Sequence, residues 1–185
     1  MRLGYTMATE RGALDPLLRA FAARAGAAGL RLAGIVQVNR DRPGCARCDM
    51  DAELLPDGPV VRISQSLGAA ARGCRLDPEG LETAVAAAQA RLEAGGVDLL
   101  VVNKFGKQEA AGRGFRPTIA LALERGADVL VGVNPLNVEA LRRFAGELAR
   151  PVAPEAAALD AWAGLRGPAA SASAIPAPRE GQTAR

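Results

Sequence analysis

The residues best suited to do chemistry gather in three short stretches. The densest is Asn103-Lys104-Phe105-Gly106-Lys107-Gln108-Glu109-Ala110-Ala111-Gly112-Arg113-Gly114-Phe115-Arg116. Two lysines, two arginines, one carboxylate and three glycines in one loop put positive charge on a pliant backbone, as an oxyanion or phosphate site requires. Lys104, Lys107, Arg113 and Arg116 are its candidate donors. Glu109 is the candidate catalytic group, placed to orient a water or link a metal. All but two of the 23 basic residues are arginine, and both lysines fall here. In a chain that uses arginine for generic charge, this points to a site needing a compact, rotatable point charge rather than a planar fork. A solvated loop with incidental charge is the bland alternative.

The second stretch is Thr6-Met7-Ala8-Thr9-Glu10-Arg11-Gly12, between a first apolar run and a first helix. A phosphate-cradling loop would sit here, where helix amides favour anions. The GxxxxGK[ST] pattern is missing: the loop has one glycine, no lysine and an acidic residue. Thr6, Thr9 and Arg11 are the candidate ligand contacts, and a plain strand-to-helix connection is the alternative. The third stretch pairs Cys45 and Cys48, two residues apart, with Cys74 26 residues beyond Cys48. CxxC is a common half-site for zinc or an iron–sulfur cluster. With no histidine in the chain, Asp49, Asp51, a water or a second subunit would have to complete it. Redox chemistry, an anion held by Arg47, Arg72 and Arg75, and inert thiols in a turn remain open.

Composition narrows the classes. The absence of histidine removes Ser/His/Asp and Cys/His nucleophile systems and HExxH zinc proteases. General base work falls to Asp, Glu or Lys. The 23 positives face 20 negatives interspersed with them, and aromatics are 3%, so neither a basic stripe nor a base-stacking platform for nucleic acid is present. No apolar run reaches the length of a membrane span, and Met1 opens into a strand-like run without the layout of a signal peptide. The expected address is the cytoplasm, and three cysteines there argue against a disulfide scaffold.

The elements that must position these stretches follow from apolar period. Leu3 to Met7 reads as a strand. Leu14, Leu17, Leu18, Phe21, Ala22 and Ala25 form one helical stripe opening at Asp15-Pro16, and Leu32 to Val38 is strand-like. Strand, helix, strand is the parallel βαβ unit. Met50 to Leu55 and Val60 to Ser64 read as an inserted antiparallel hairpin around Pro56-Asp57-Gly58. A helix capped by Asp77-Pro78 runs to Gly95-Gly96. Val97 to Val102 follows as a strand covered on both faces. Pro117 to Arg125, Ala127 to Val133 and Asn137 to Ala149 read as helix, strand and helix. The expected fold class is α/β, a three-layer doubly wound, mostly parallel sheet. One domain spans 1–165 with a hairpin insertion at about 40–75, and 166–185 form a disordered Ala/Pro/Ser-rich tail. In such a sheet ligands bind beyond the carboxyl ends of the strands, where these loops fall.

Cys48-Asp49-Met50-Asp51, Ile63-Ser64-Gln65-Ser66-Leu67-Gly68, Arg72-Gly73-Cys74-Arg75-Leu76-Asp77 and above all Val102-Asn103-Lys104-Phe105-Gly106-Lys107-Gln108-Glu109-Ala110 carry a resemblance. Over about residues 1–165 the chain resembles the bacterial family designated domain of unknown function 2478 (DUF2478). The resemblance implies kinship with P-loop nucleoside triphosphatases and with ATP-binding partners of molybdenum transport. It puts Asn103 where such enzymes carry the strand-terminal acid that handles magnesium, with Glu109 the nearest replacement. An amide there and no lysine in the first loop point to binding rather than hydrolysis. The expected protein binds a small anionic ligand, a nucleotide, phosphate or other oxyanion such as molybdate, through a degenerate P-loop. A homodimer or a transporter-associated partner is the expected assembly. A divergent magnesium-dependent nucleoside triphosphatase, and a module holding zinc or an iron–sulfur cluster at Cys45, Cys48 and Cys74, are the alternatives.

Overall fold

A computed structural model of the chain describes residues 1–10, 12–40, 49–65 and 76–165. Arg11, Cys45, Cys48, Cys74 and the segment 166–185 lie outside the described residues, so the cysteine site and the tail do too. The order of elements is β1 (Leu3–Thr6), α1 (Leu14–Ala27), β2 (Leu32–Arg40), β3 (Asp49–Leu54), β4 (Val60–Arg62), α2 (Pro78–Glu93), β5 (Leu99–Phe105), α3 (Lys107–Ala110), α4 (Arg116–Glu124), β6 (Asp128–Val133), α5 (Val138–Ala145), β7 (Ala149–Pro151) and α6 (Ala156–Ala163).

One sheet runs in the order β4-β3-β2-β5-β6-β1-β7. The five strands from β2 to β7 are parallel, and β3 and β4 extend the sheet antiparallel from β2. The expected hairpin is thus the sheet's own margin rather than a separate excursion. Alternation along β5 shows why its sequence is apolar throughout. Leu99 and Val101 pack with Leu18, Phe21 and Ala25 of α1 and Leu159 of α6. Leu100 and Val102 pack with Leu81 and Val85 of α2, Ile119 of α4 and Leu141 of α5. Helices therefore cover both faces, the three-layer arrangement the sequence predicts. No helix among the described residues is long and apolar enough to cross a membrane.

Local chemistry sets the helix starts. The Asp77 carboxylate accepts from the Glu79 N–H at 3.1 Å and caps α2, with Pro78 at the first position where a missing N–H costs nothing. The C-terminal third departs from expectation. A single helix over Asn137–Ala149 is predicted, but a 3-10 turn (Pro135–Asn137) precedes α5, and after a second turn Ala149–Pro151 pairs with β1 as β7. Ala-Arg-Pro carries no strand period; the open edge of β1 recruits it, and at an edge Pro151 forfeits no needed donor. α6 was equally silent because its sequence is alanine-rich. Leu159 buries it, and Arg24 ties it to α1 by donating to both oxygens of Asp160 at 2.9–3.0 Å.

At the amino ends of β2 and β5, the Arg31 side chain and its backbone N–H both donate to Asp98, at 2.7–2.9 Å. These bonds favour the charged carboxylate and hold its pKa down to about 2. A depressed folded-state pKa stabilises the fold above the unfolded value of about 4, and that stabilisation is lost as pH falls through the folded value. Asp98→Asn should therefore be less stable than the wild type at pH 6, and the gap should close between about pH 4 and pH 2 in urea titrations. A gap that does not change with pH would remove this ion pair from the account.

Candidate functional site

The chain leaves β1 to cross one face through α1 and leaves β6 to cross the other through α5, so their carboxyl ends diverge. A ligand crevice opens at such a switch point in open α/β sheets. Here it has a volume of about 300 Å³, at the small end for ligand sites. Its lining comes from the loop after β1 (Ala8, Thr9, Glu10), the start of α1 (Leu14, Asp15), the end of β5 (Asn103, Lys104) and the end of β6 (Asn134).

The floor is a closed hydrogen-bond network. Asn103, 2% exposed, points from β5 toward α1. Its Nδ2 donates to Asp15 Oδ1 at 2.9 Å, and its Oδ1 accepts from the Gln37 backbone N–H of β2 at 3.0 Å. The other Asp15 oxygen accepts from Asn39 Nδ2 at 2.7 Å and Gln37 Nε2 at 3.3 Å. A carboxylate 7% exposed is thus held by three amide groups and sits in the first turn of α1, where the helix dipole favours negative charge. Gly132 of β6 allows this packing, because a Cβ there would lie 2.2 Å from the Asn103 carbonyl oxygen. Thr6, paired in register with Gly132, is fully buried and its hydroxyl has no partner among the described residues. Thr118 on α4 shares that condition.

Of the four cations expected to converge, the crevice takes one. Lys104 is exposed and lines it. Lys107 opens α3 outside the lining, Arg113 Nε donates to Gln108 Oε1 at 2.9 Å, and the Arg116 guanidinium lies over the Phe144 ring at 4.7 Å. The bulge after Val102 exposes Lys104, and the loop beyond then turns back on itself. Glu109 also differs from expectation. It is 3% exposed, and its two oxygens accept from the backbone N–H groups of Gly106 at 2.8 Å and Phe115 at 3.1 Å. It clamps the loop rather than facing the crevice. Gly114, at φ +58°, passes so close that a Cβ would lie 2.3 Å from Glu109 Oε1. Thr9 and Asn103 line the crevice, the expected contact Thr6 does not, and Asp15 is the lining residue sequence reading missed. Its place beside Pro16 reads as a helix start, and only the partners on β2 and β5 reveal its second role.

A GxxxxGK[ST] motif aligned on Gly12 would put Ala13 and Leu14 at the lysine and hydroxyl positions. The family model described as "Protein of unknown function (DUF2478)" matches residues 3–162, most of this framework. The chain belongs to the DUF2478 family. Two solved structures share its fold. The crystal structure of THEP1 from the hyperthermophile Aquifex aeolicus superposes with a TM-score of 0.58 at 14% identity, covering 89% of this chain and 95% of that one. The solution structure of a human cancer-related nucleoside triphosphatase gives a TM-score of 0.55 at 18% identity, covering 81% and 86%. The chain therefore shares with them an α/β, P-loop-like fold. A relative, the molybdenum import ATP-binding protein ModC 2 of Bradyrhizobium diazoefficiens (strain USDA 110), is 42% identical over 150 residues. Those residues are 80% of this chain and 16% of that protein, so the chain corresponds to a small part of its relative.

Proposed function

We propose that this DUF2478 chain is a binding protein whose switch-point crevice takes up a phosphate-bearing or other tetrahedral oxyanion ligand without hydrolysing it. The observation that carries this reading is the crevice itself: a cleft at the carboxyl ends of β1, β5 and β6, with the Lys104 ammonium on its wall and the opening turn of α1 at its edge. Lys104 supplies the compact charge and Thr9 a rim hydroxyl, whereas the Thr6 hydroxyl is buried outside the crevice lining and takes no part. Asp15 presents no unbonded oxygen to the ligand, its two being bonded to three amides. Lys107, Arg113 and Arg116 raise the positive potential of the neighbouring loop without touching the cleft. The relative's name supports a narrower reading, in which the ligand is molybdate and the chain works beside a molybdenum import protein.

Molybdate, tungstate, phosphate or ATP at about a hundred times its Kd should raise the melting temperature by roughly 5–10 °C, since that occupancy stabilises by about 2.7 kcal/mol. Lys104→Ala, at an exposed position, should keep the unliganded melting temperature and lose most of the rise. A flat response of the wild type to all four anions overturns the proposal.

A further inference from the structure

Magnesium is the companion that a P-loop nucleoside triphosphatase fold implies, and the floor of the crevice is where it would approach. The ion demands near-octahedral oxygen ligands and gives up its waters reluctantly. The donor set of the floor does not suit it, and the other lining carboxylate, Glu10, stands on the exposed loop after β1 rather than on the floor. Asp15 Oδ1 receives the Asn103 amide, Asp15 Oδ2 receives both the Gln37 and Asn39 amides, and Asn103 Oδ1 receives the Gln37 backbone N–H. Every carboxylate and amide oxygen of the Asp15–Asn103 pair already accepts a hydrogen bond. A cation taking one of them would face the amide hydrogens and leave a buried donor unpaired. Near its carboxyl end β5 carries the Asn103 amide, whose orientation is set by β2 and which offers a metal no negative charge.

We infer that this crevice takes its ligand as the free anion, with magnesium excluded from the complex. The inference rests on the anion-binding reading above and adds the chemical form of the ligand. Charge is met by Lys104, whose ammonium cannot coordinate a metal. Magnesium in solution therefore competes for a chelating ligand instead of accompanying it.

Isothermal titration of the full chain with ATP, pyrophosphate and molybdate, each in excess EDTA and in excess magnesium, tests this. ATP and pyrophosphate should bind in EDTA at least as tightly as in magnesium. Molybdate should bind equally in both, and Lys104→Ala should weaken each about tenfold in either buffer. Binding of any of the three that is about tenfold tighter in magnesium, or that needs it, overturns the free-anion inference and leaves the anion site standing. No heat from any probe in either buffer overturns the anion site itself.

Discussion

Asn103→Asp should destabilise the protein by about 3 kcal/mol at neutral pH, the effect of facing two buried carboxylates within hydrogen-bond distance and deleting the donor between them. The Asn103 Nδ2 to Asp15 Oδ1 separation is 2.9 Å, and both residues are buried. Like charges that close share a proton, so the folded pair titrates above the ordinary carboxylate range. A raised folded-state pKa means the deficit is greatest above that value and shrinks as pH falls toward the unfolded range of about 4, where the shared proton restores a hydrogen bond. Urea denaturation of the variant between pH 7 and pH 4 checks both the size and the slope.

The same network predicts its own rescue. Asp15→Asn alone turns an NH₂ group onto a neighbouring NH₂, because the Asn103 amide is held in one orientation by the Gln37 N–H, and should cost about 1–3 kcal/mol. The exchange Asp15→Asn with Asn103→Asp reverses one donor and keeps every bond: Asp at 103 accepts from Gln37 and from Asn at 15, which still accepts from Asn39. The double variant should recover most of the lost stability, a coupling of about 3 kcal/mol, at the top of the range for contacting residues. A double variant no better than the sum of the singles would dismiss the network as the determinant of the floor.

Glu109→Ala should cost about 3 kcal/mol, because it leaves the half-buried Gly106 N–H and the buried Phe115 N–H without an acceptor. Glu109→Gln keeps one oxygen and directs an NH₂ at the other N–H, so it should cost roughly half as much. Melting curves give the order, and protease cutting within 106–116 should rise in the same sequence as the loop opens more often. The opposite pattern, an unchanged melting temperature with an altered ligand response in Glu109→Gln, would return the residue to the ligand side.

Most of the architecture was legible in the linear pattern because it is written in local period. The apolar run of β5 is buried on both faces, the α1 stripe recurs at helical spacing, and Asp77-Pro78-Glu79 is a capping signal confined to three residues. β7 and α6 were not legible, since Ala-Arg-Pro and an alanine-rich octet acquire structure only by meeting β1 and α1. The site divides along the same line. The sequence by itself determined that a charged, glycine-rich loop follows the central strand, that the phosphate motif is broken, and that imidazole chemistry is absent. Only the tertiary structure decided that Lys104 alone of four cations enters the crevice, that Glu109 faces backbone instead of ligand, and that Asp15 and Asn103 join. The physical reason is range: residue type and spacing fix what a side chain offers, whereas its partners lie 88 positions away across a strand and a helix, and hydrogen bonds are assigned by proximity in space.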